Sequence, residues 1–200
     1  GETRRLLVPF AFHPAAFQNR WDWEIVTPST AATFTPLLDG NVHALEVAPR
    51  GVLLVGGEFT NINGIANTSG LAAIDPATGL VDTSFTASVE RPWSTNPAIV
   101  REIEVVGDLL YIGGNFSHLR DSVSDKRYRF YKLARVGADF GELDLTWKPQ
   151  VTGGAVFGIG IDQDRGRLMF TGSFSSVAAQ PDTQRVAIVD TVIGSVIAHT

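Results

Sequence analysis

Histidines are the side chains that most often bind metals or transfer protons near neutral pH, and this chain of 200 residues has four of them. They are His13, His43, His118 and His199. Their positions lack the close spacing of a metal site, and the absence of cysteine excludes thiolate ligands and disulfides. We therefore predict that the chain holds no metal ion and no other cofactor.

Carboxylates can supply a general acid and a general base, but the acidic residues here follow a repeat. Glu46 and Glu104 occupy equivalent positions in two copies of it, and Asp82 and Asp144 do the same. An acid and a base need different surroundings, whereas a repeat gives its residues similar ones. We predict no catalytic residue. The alternative is a carbohydrate-active enzyme, a glycosidase or a lyase, with a carboxylate pair facing a central cavity.

Aromatic and charged side chains that can bind a sugar or a partner protein are concentrated in two segments. One is the linker Glu90–Pro97, and the other is Ser117–Arg129, which is followed by an aromatic pair. A further linker is expected at Thr152–Ala155. The candidate binding residues are Arg91, Trp93, His118, Arg120, Asp121, Arg127 and Tyr131. The alternative for Trp93 is packing between repeat units. The alternative for Ser117–Arg129 is a solvated polar loop whose internal ion pairs have little net strength.

The elements that position these segments come from an internal repeat of just under 60 residues. Each copy opens with an alternating strand at Val42, Val100 or Val156, at offsets of 58 and 56 residues. A short turn leads to a second strand that ends in glycine and phenylalanine, and these phenylalanines are 57 and 58 residues apart. Short runs of alternating apolar and polar residues predict β-strands.

Two further strands complete each copy. The third begins at Leu71, Leu133 or Val186, and eight residues later each has a glycine that allows a tight turn. The fourth closes with an aromatic residue. We assign to the fold rather than to function Gly56, Gly57, Phe59, Asp75, Gly79, Phe85, Gly113, Gly114, Phe116, Trp147, Gly172 and Phe174.

Four antiparallel strands that recur at a fixed period predict an all-β fold. The specific prediction is a β-propeller of four-stranded antiparallel blades, because blades set around an axis bury their faces against one another. We expect an N-terminal partial blade and lead-in at 1–40, blades at 41–98 and 99–154, and an incomplete blade at 155–200, all in one propeller domain.

The lead-in contains two candidate strands, Leu6–Phe12 and Glu24–Val26. Trp21 and Trp23 alternate around an aspartate, which suits either core anchors or a stacking platform. About three and a half repeats fit in the chain, whereas closed propellers have roughly four to eight blades. Either the two ends complete one blade together, or the chain is part of a larger propeller. We favour the larger propeller, because an open last blade exposes unpaired strand edges.

At these residues the sequence resembles the delta-sixty repeat family of β-propellers, whose units contain GG-x-F, L-A-x-x-D, a T-G turn and a closing D-x-x-F. The first unit matches every element, and later units depart at Val136 and Gly137, at Trp147 and at Thr171. Kelch propellers also have a double glycine, but their downstream Tyr and Trp spacing is missing. The resemblance implies an extracellular, cell-surface or virion-associated setting and supplies no catalytic residues.

Composition limits the partners. The net charge is −5 and there is no basic stripe, so we expect no nucleic-acid partner. The apolar runs fall far below the ~20 residues of a membrane-spanning helix, so we expect no membrane insertion. The predicted function is a non-enzymatic interaction or adhesion module of an extracellular or virion-associated assembly, such as a tail or surface fibre. It would bind protein, glycan or neighbouring subunits through its loop face. A purely structural spacer is a further possibility.

Overall fold

The computed structural model describes residues 34–180 and 183–199, which form strands and turns without a helix. The strands are β1 (Val42–Val47), β2 (Leu53–Gly57), β3 (Leu71–Ile74), β4 (Ala87–Glu90), β5 (Ile99–Val106), β6 (Leu109–Asn115), β7 (His118–Asp121), β8 (Lys126–Arg129), β9 (Leu133–Gly137), β10 (Val151–Asp162), β11 (Arg167–Val177), β12 (Val186–Asp190) and β13 (Val196–His199). The all-β prediction is therefore confirmed for this part of the chain. Within it, no helix is long and apolar enough to cross a membrane. The predicted features at Leu6–Phe12, Trp21, Trp23 and Glu24–Val26 lie outside the described residues.

The strands pair antiparallel in four small sheets. Three of them follow the predicted repeat: unit 1 is β1-β2-β3, unit 2 is β5-β6-β9 and unit 3 is β10-β11-β12-β13. The fourth sheet, β4-β7-β8, has no counterpart among the predicted elements. It includes part of Ser117–Arg129, which we had expected to be a loop.

The same backbone hydrogen bonds recur around the phenylalanine of each unit. Phe59 accepts from the N–H of Gly70, Phe116 from that of Lys132, and Phe174 from that of Arg185. The carbonyl of each of these donor residues in turn accepts from the N–H of the glycine two positions before the phenylalanine. Gly70, Lys132 and Arg185 share a left-handed backbone, with φ of 62°, 65° and 68°. These three residues are therefore structurally equivalent.

The turn after the third strand is also shared. Its glycine is Gly79, Gly141 or Gly194, with φ of 74°, 75° and 73°, and each donates to the carbonyl four residues earlier. Unit 2 keeps this turn although Gly137 stands where the other two units have an aspartate. The left-handed glycine therefore suffices to form the turn without the aspartate side chain.

The predicted fourth strand is present in unit 3 only, among the described residues. In unit 1 a single bridge joins Ile74 to Val81, and in unit 2 a single bridge joins Val136 to Leu143, so these sheets have three strands. The opening strand of unit 3, β10, starts at Val151.

Local hydrogen bonds explain the missing strands. The carboxylate of Asp82 accepts from the N–H and hydroxyl of Ser84, and Asp144 does the same with Thr146. Such aspartate turns satisfy the backbone locally and compete with sheet pairing. The aromatic residue that follows each turn is then directed into the core, where Trp147 is fully buried.

Consecutive units approach closely at the first glycine of each pair. A Cβ atom on Gly56 would lie 2.7 Å from Val100 Cγ1 of unit 2, and one on Gly113 would lie 2.6 Å from Val156 Cγ1 of unit 3. Favourable carbon–carbon separations are ~3.5–4.0 Å, so a side chain at either position would displace the next sheet. The equivalent residue of unit 3, Thr171, is exposed.

A buried arginine joins unit 2 to unit 3. The Arg135 guanidinium lies 5.4 Å from the Trp147 ring centre, and its Nε donates to Asp144 Oδ2 at 2.9 Å. It also donates to the carbonyl of Thr191, while the Trp147 indole N–H donates to the carbonyl of Asp190 at 3.0 Å. Both carbonyls belong to the turn of unit 3. Trp147 and the Arg135–Asp144 ion pair therefore hold unit 2 against the same turn.

The glycine positions predict a difference between two alanine substitutions. A Cβ on Gly114 would overlap the carbonyl oxygen of Ile99, whereas nothing lies within 4 Å of a Cβ on Gly160. We expect Gly114→Ala to lower the free energy of unfolding by about 2–3 kcal/mol, and Gly160→Ala to change it by no more than about 0.5 kcal/mol. Urea denaturation measures both, and equal losses would contradict the described approach.

Asp144 predicts a pH-dependent contribution to stability. Burial would raise its pKa, but hydrogen bonds from Thr146, Arg135 and backbone N–H groups outweigh burial and lower the pKa to about 2. The unfolded pKa is ~3.9, so the contribution is complete above that value and is lost as the pH falls towards 2.

We expect Asp144→Asn to cost roughly 2 kcal/mol of unfolding free energy at pH 7, and clearly less at pH 3. Asp164→Asn, at an exposed aspartate, is the control and should have little effect at either pH. A loss in Asp144→Asn that is the same at both pH values would show that the carboxylate charge is not responsible.

Candidate functional site

The first of two insertions in unit 2 precedes its opening strand. In each unit, one residue before the opening strand pairs with the residue three positions after the phenylalanine that ends the second strand. We call this residue the anchor, and the three anchors are Leu38, Val89 and Val151. The opening valine follows its anchor by 4 residues in unit 1 and by 5 in unit 3, but by 11 in unit 2. The additional residues form the turn that carries Arg91 and Trp93.

The second insertion follows the second strand. Phe116 and Leu133 are 17 positions apart, whereas 12 positions separate the equivalent residues in units 1 and 3. The additional residues form the hairpin of β7 and β8. Insertions in a repeat usually collect on one face, and that face often binds a partner.

The two insertions pack against each other. β4 pairs with β7, with Val89 opposite Leu119 and Glu90 opposite His118, and the N–H of Ser117 donates to the carbonyl of Glu90. The ring of Trp93 meets the ring of His118 edge to face, with centres 5.2 Å apart and planes at 76°. The inserted turn is thus fixed to the inserted hairpin.

Ion pairs within the hairpin use the charges of Arg120 and Arg127. Glu90 accepts from Arg120 Nη1 at 3.2 Å and also from Arg127, and Arg120 pairs in addition with Asp125. Asp121 accepts from the N–H of Val123 and from the hydroxyl of Ser124, which forms the hairpin turn. Arg120, Asp121 and Arg127 therefore hold the hairpin together.

A groove opens beside Trp93, at the junction of the inserted turn, unit 2 and the start of β10. It has a volume of about 450 Å³, within the range of small-ligand sites. We call it the Trp93 groove. Its lining residues are Arg91, Trp93, Ser94, Ser117, Tyr131, Lys132, Val151, Thr152 and Gly153. The Trp93 side chain is 82% exposed, so it does not pack between units.

The groove brings together three of the seven predicted binding residues, Arg91, Trp93 and Tyr131. His118 lies behind Trp93 and is buried, with Nδ1 2.9 Å from the Ser117 hydroxyl. Burial lowers the pKa of His118, and the positive charge of Arg129 lowers it further. A neutral imidazole is therefore favoured at neutral pH, and it positions Trp93.

Sequence reasoning missed several residues of the groove, above all Lys132. Its equivalents are Gly70 in unit 1 and Arg185 in unit 3, so aligning the repeats does not single it out. Thr152 and Gly153 were missed because they were assigned to a linker. Ser117 was included only as the first residue of the expected loop.

A separate acidic cluster lies on the opening strands of units 1 and 2. Burial raises the pKa of Glu104, and the charges of Glu46 and Glu102 raise it further. Burial also raises the pKa of Glu102, with a further rise from Glu46. None of these three lines the Trp93 groove. Among the described residues, no group of three or more His, Cys, Asp or Glu is arranged to hold a metal ion.

Comparisons with known proteins do not indicate a function for this chain. No protein-family model and no curated protein sequence matches the chain. Two solved structures that match it are computationally designed proteins, Ika4 and Ika8. Ika4 is 8% identical, over 81% of this chain and 73% of its own, with a TM-score of 0.37. Ika8 is 9% identical, over 82% of this chain and 38% of its own, with a TM-score of 0.39.

The acidic cluster predicts a stabilising substitution. A carboxyl whose folded pKa is raised weakens the fold at pH values above its unfolded pKa of ~4.3, because the charged form is disfavoured in the folded state. We therefore expect Glu104→Gln to raise the melting temperature at pH 7, with the gain disappearing below about pH 4. Glu142→Gln, at an exposed glutamate, is the control. A lower melting temperature of Glu104→Gln at pH 7 would contradict repulsion within the cluster.

Proposed function

We propose that this protein is a non-enzymatic carbohydrate-binding module, and that the Trp93 groove is its binding site. The observation that carries the proposal is an indole ring that is 82% exposed and yet in edge-to-face contact with a buried histidine. Exposing a large aromatic ring forfeits the free energy of its burial, and holding it still reduces the entropy lost on binding. An exposed aromatic surface that a neighbouring ring positions suits stacking against the apolar face of a sugar ring.

The other groove residues support a sugar in preference to an apolar ligand. Ser94, Ser117 and Thr152 supply hydroxyl groups, and Tyr131 supplies a second aromatic ring with a polar end. No carboxylate lines this groove. A glycosidase needs two carboxyl groups beside the scissile bond, so the groove favours binding over hydrolysis. Binding of a protein partner at the same face is the second candidate.

We also propose that the units are consecutive blades of a β-propeller. The step from unit 1 to unit 2, with glycine against valine, is repeated from unit 2 to unit 3. Leu54 and Tyr111, which face the following unit, are buried, whereas the equivalent Met169 of unit 3 is 48% exposed. A further blade would pack on that face. The proposed extracellular, cell-surface or virion-associated setting rests on the resemblance of the repeat.

A glycan array probed with the whole chain tests the proposed function, followed by titration calorimetry on the glycan that binds best. We expect Trp93→Ala to weaken binding at least about tenfold, which corresponds to ~1.4 kcal/mol. Phe157→Ala is the matched control, since Phe157 is 50% exposed outside the groove, and it should bind as the wild type does.

Two results would contradict the proposal. One is an array on which the wild type binds no glycan. The other is a bound glycan whose affinity is the same for Trp93→Ala and for the wild type. Retained folding of both variants is checked by their melting temperatures.

A further inference from the structure

The Trp93 groove carries positive charge although the chain as a whole is acidic. Two of its nine lining residues, Arg91 and Lys132, are cationic, and none is acidic. The formal net charge of the chain is −5. A local field of this sign favours an anionic ligand, because the charges at the site and not the net charge determine what binds there.

The two cations of the groove have no carboxylate partner among the described residues. Of the nine other arginines in this part of the chain, five are paired with an aspartate or a glutamate, namely Arg50, Arg120, Arg127, Arg135 and Arg165, and four are not. The Lys132 ammonium instead donates to the neutral amide oxygen of Asn115, at 2.6 Å. Burial lowers the pKa of Lys132, and the charge of Arg91 lowers it further. Two like charges thus lie close together without neutralisation.

The backbone of Lys132 allows its side chain to be tested without disturbing the fold. Its φ of 65° is a left-handed conformation that favours glycine, and glycine is what unit 1 has at this position. Unit 3 has Arg185 there with a φ of 68°, so the conformation belongs to the repeat and not to the groove. Replacing Lys132 with glycine therefore removes the charge and keeps the backbone that the repeat requires.

We infer that the Trp93 groove binds an acidic saccharide, one that carries a carboxylate or a sulfate group. Trp93 provides the surface for the sugar ring, and Arg91 and Lys132 provide the charges for its anionic group. Hydrogen bonds from charged donors to an anionic group are shorter and stronger than those between neutral groups. This inference rests on the proposed function, because it names the class of glycan for the same groove.

The experiment compares acidic sugars with neutral counterparts. The probes are 3′-sialyllactose with lactose, and a hyaluronan tetrasaccharide with chitotetraose, each titrated into the whole chain in 50 mM and 500 mM sodium chloride. We expect at least one acidic probe to bind ten times more tightly than its neutral counterpart, and its affinity to fall at high salt. Sodium sulfate without a sugar should bind far more weakly than that probe.

Lys132→Gly is the most informative variant, because it removes the charge and relieves the strained backbone. We expect its melting temperature to equal or exceed that of the wild type, while its affinity for the acidic probe falls tenfold or more. Arg185→Gly makes the same backbone change at the equivalent position of unit 3, outside the groove lining, and should bind as the wild type does. Arg91→Gln removes the other charge without a change of backbone and should also weaken binding of the acidic probe.

The outcomes separate this inference from the proposed function. Equal binding of acidic and neutral sugars would overturn the acidic preference and leave the proposed function in place. Lys132→Gly and Arg91→Gln variants that bind the acidic probe like the wild type would also overturn the inference. Sulfate that binds as tightly as the acidic sugars would show an anion site without sugar recognition and overturn it. An array without any bound glycan would overturn both proposals.

Discussion

The close packing of each sheet on the next, glycine against valine, is the contact on which the rest of the structure depends. Gly56 meets Val100 and Gly113 meets Val156 at distances that leave no room for a side chain. The closing aromatics are buried beside these contacts, and Arg135 links the second contact by hydrogen bonds. Since interiors pack at nearly crystalline density, neither sheet can move far without loss of contacts. The strands and turns of the units are therefore tightly constrained.

The units therefore differ in the segments that connect their strands, and unit 2 has two insertions in these segments. The first insertion follows the anchor Val89 and the second follows its partner Leu119, a pair that all three units share, so both insertions extend from neighbouring points of the framework. The Glu90 carboxylate pairs with two arginines of the hairpin, so the positive charge of these arginines is balanced locally. Arg91 and Lys132 remain free of such partners among the described residues. The framework and the insertions together leave an aromatic and cationic groove at the boundary with unit 3.

The period of the sequence predicted the repeat well, because turns with a left-handed glycine and strands with alternating residues are local signals. The three equivalent turns at Gly79, Gly141 and Gly194 show this. The fourth strands of units 1 and 2 were predicted wrongly. There the side chains of Asp82 and Asp144 compete for the backbone, and a pattern of apolar residues does not reveal that competition.

The candidate site was only partly visible in the sequence. Trp93, Arg91 and Tyr131 were found because loop aromatics and cations are conspicuous. The sequence did not show that Arg120 and Arg127 share the carboxylate of Glu90, because that contact joins residues 30 and 37 positions apart. Lys132 was missed because only the fold brings it beside the inserted turn and the start of β10.

A double-mutant cycle between Gly113 and Val156 tests the central claim most directly. Gly113→Ala places a methyl group against the valine, and Val156→Ala removes the atoms that it would meet. We predict that the double variant is more stable than the sum of the two single losses by at least about 1 kcal/mol, measured by urea denaturation of the whole chain. Losses that add within about 0.3 kcal/mol would show that the sheets do not meet at this glycine, and would contradict the account.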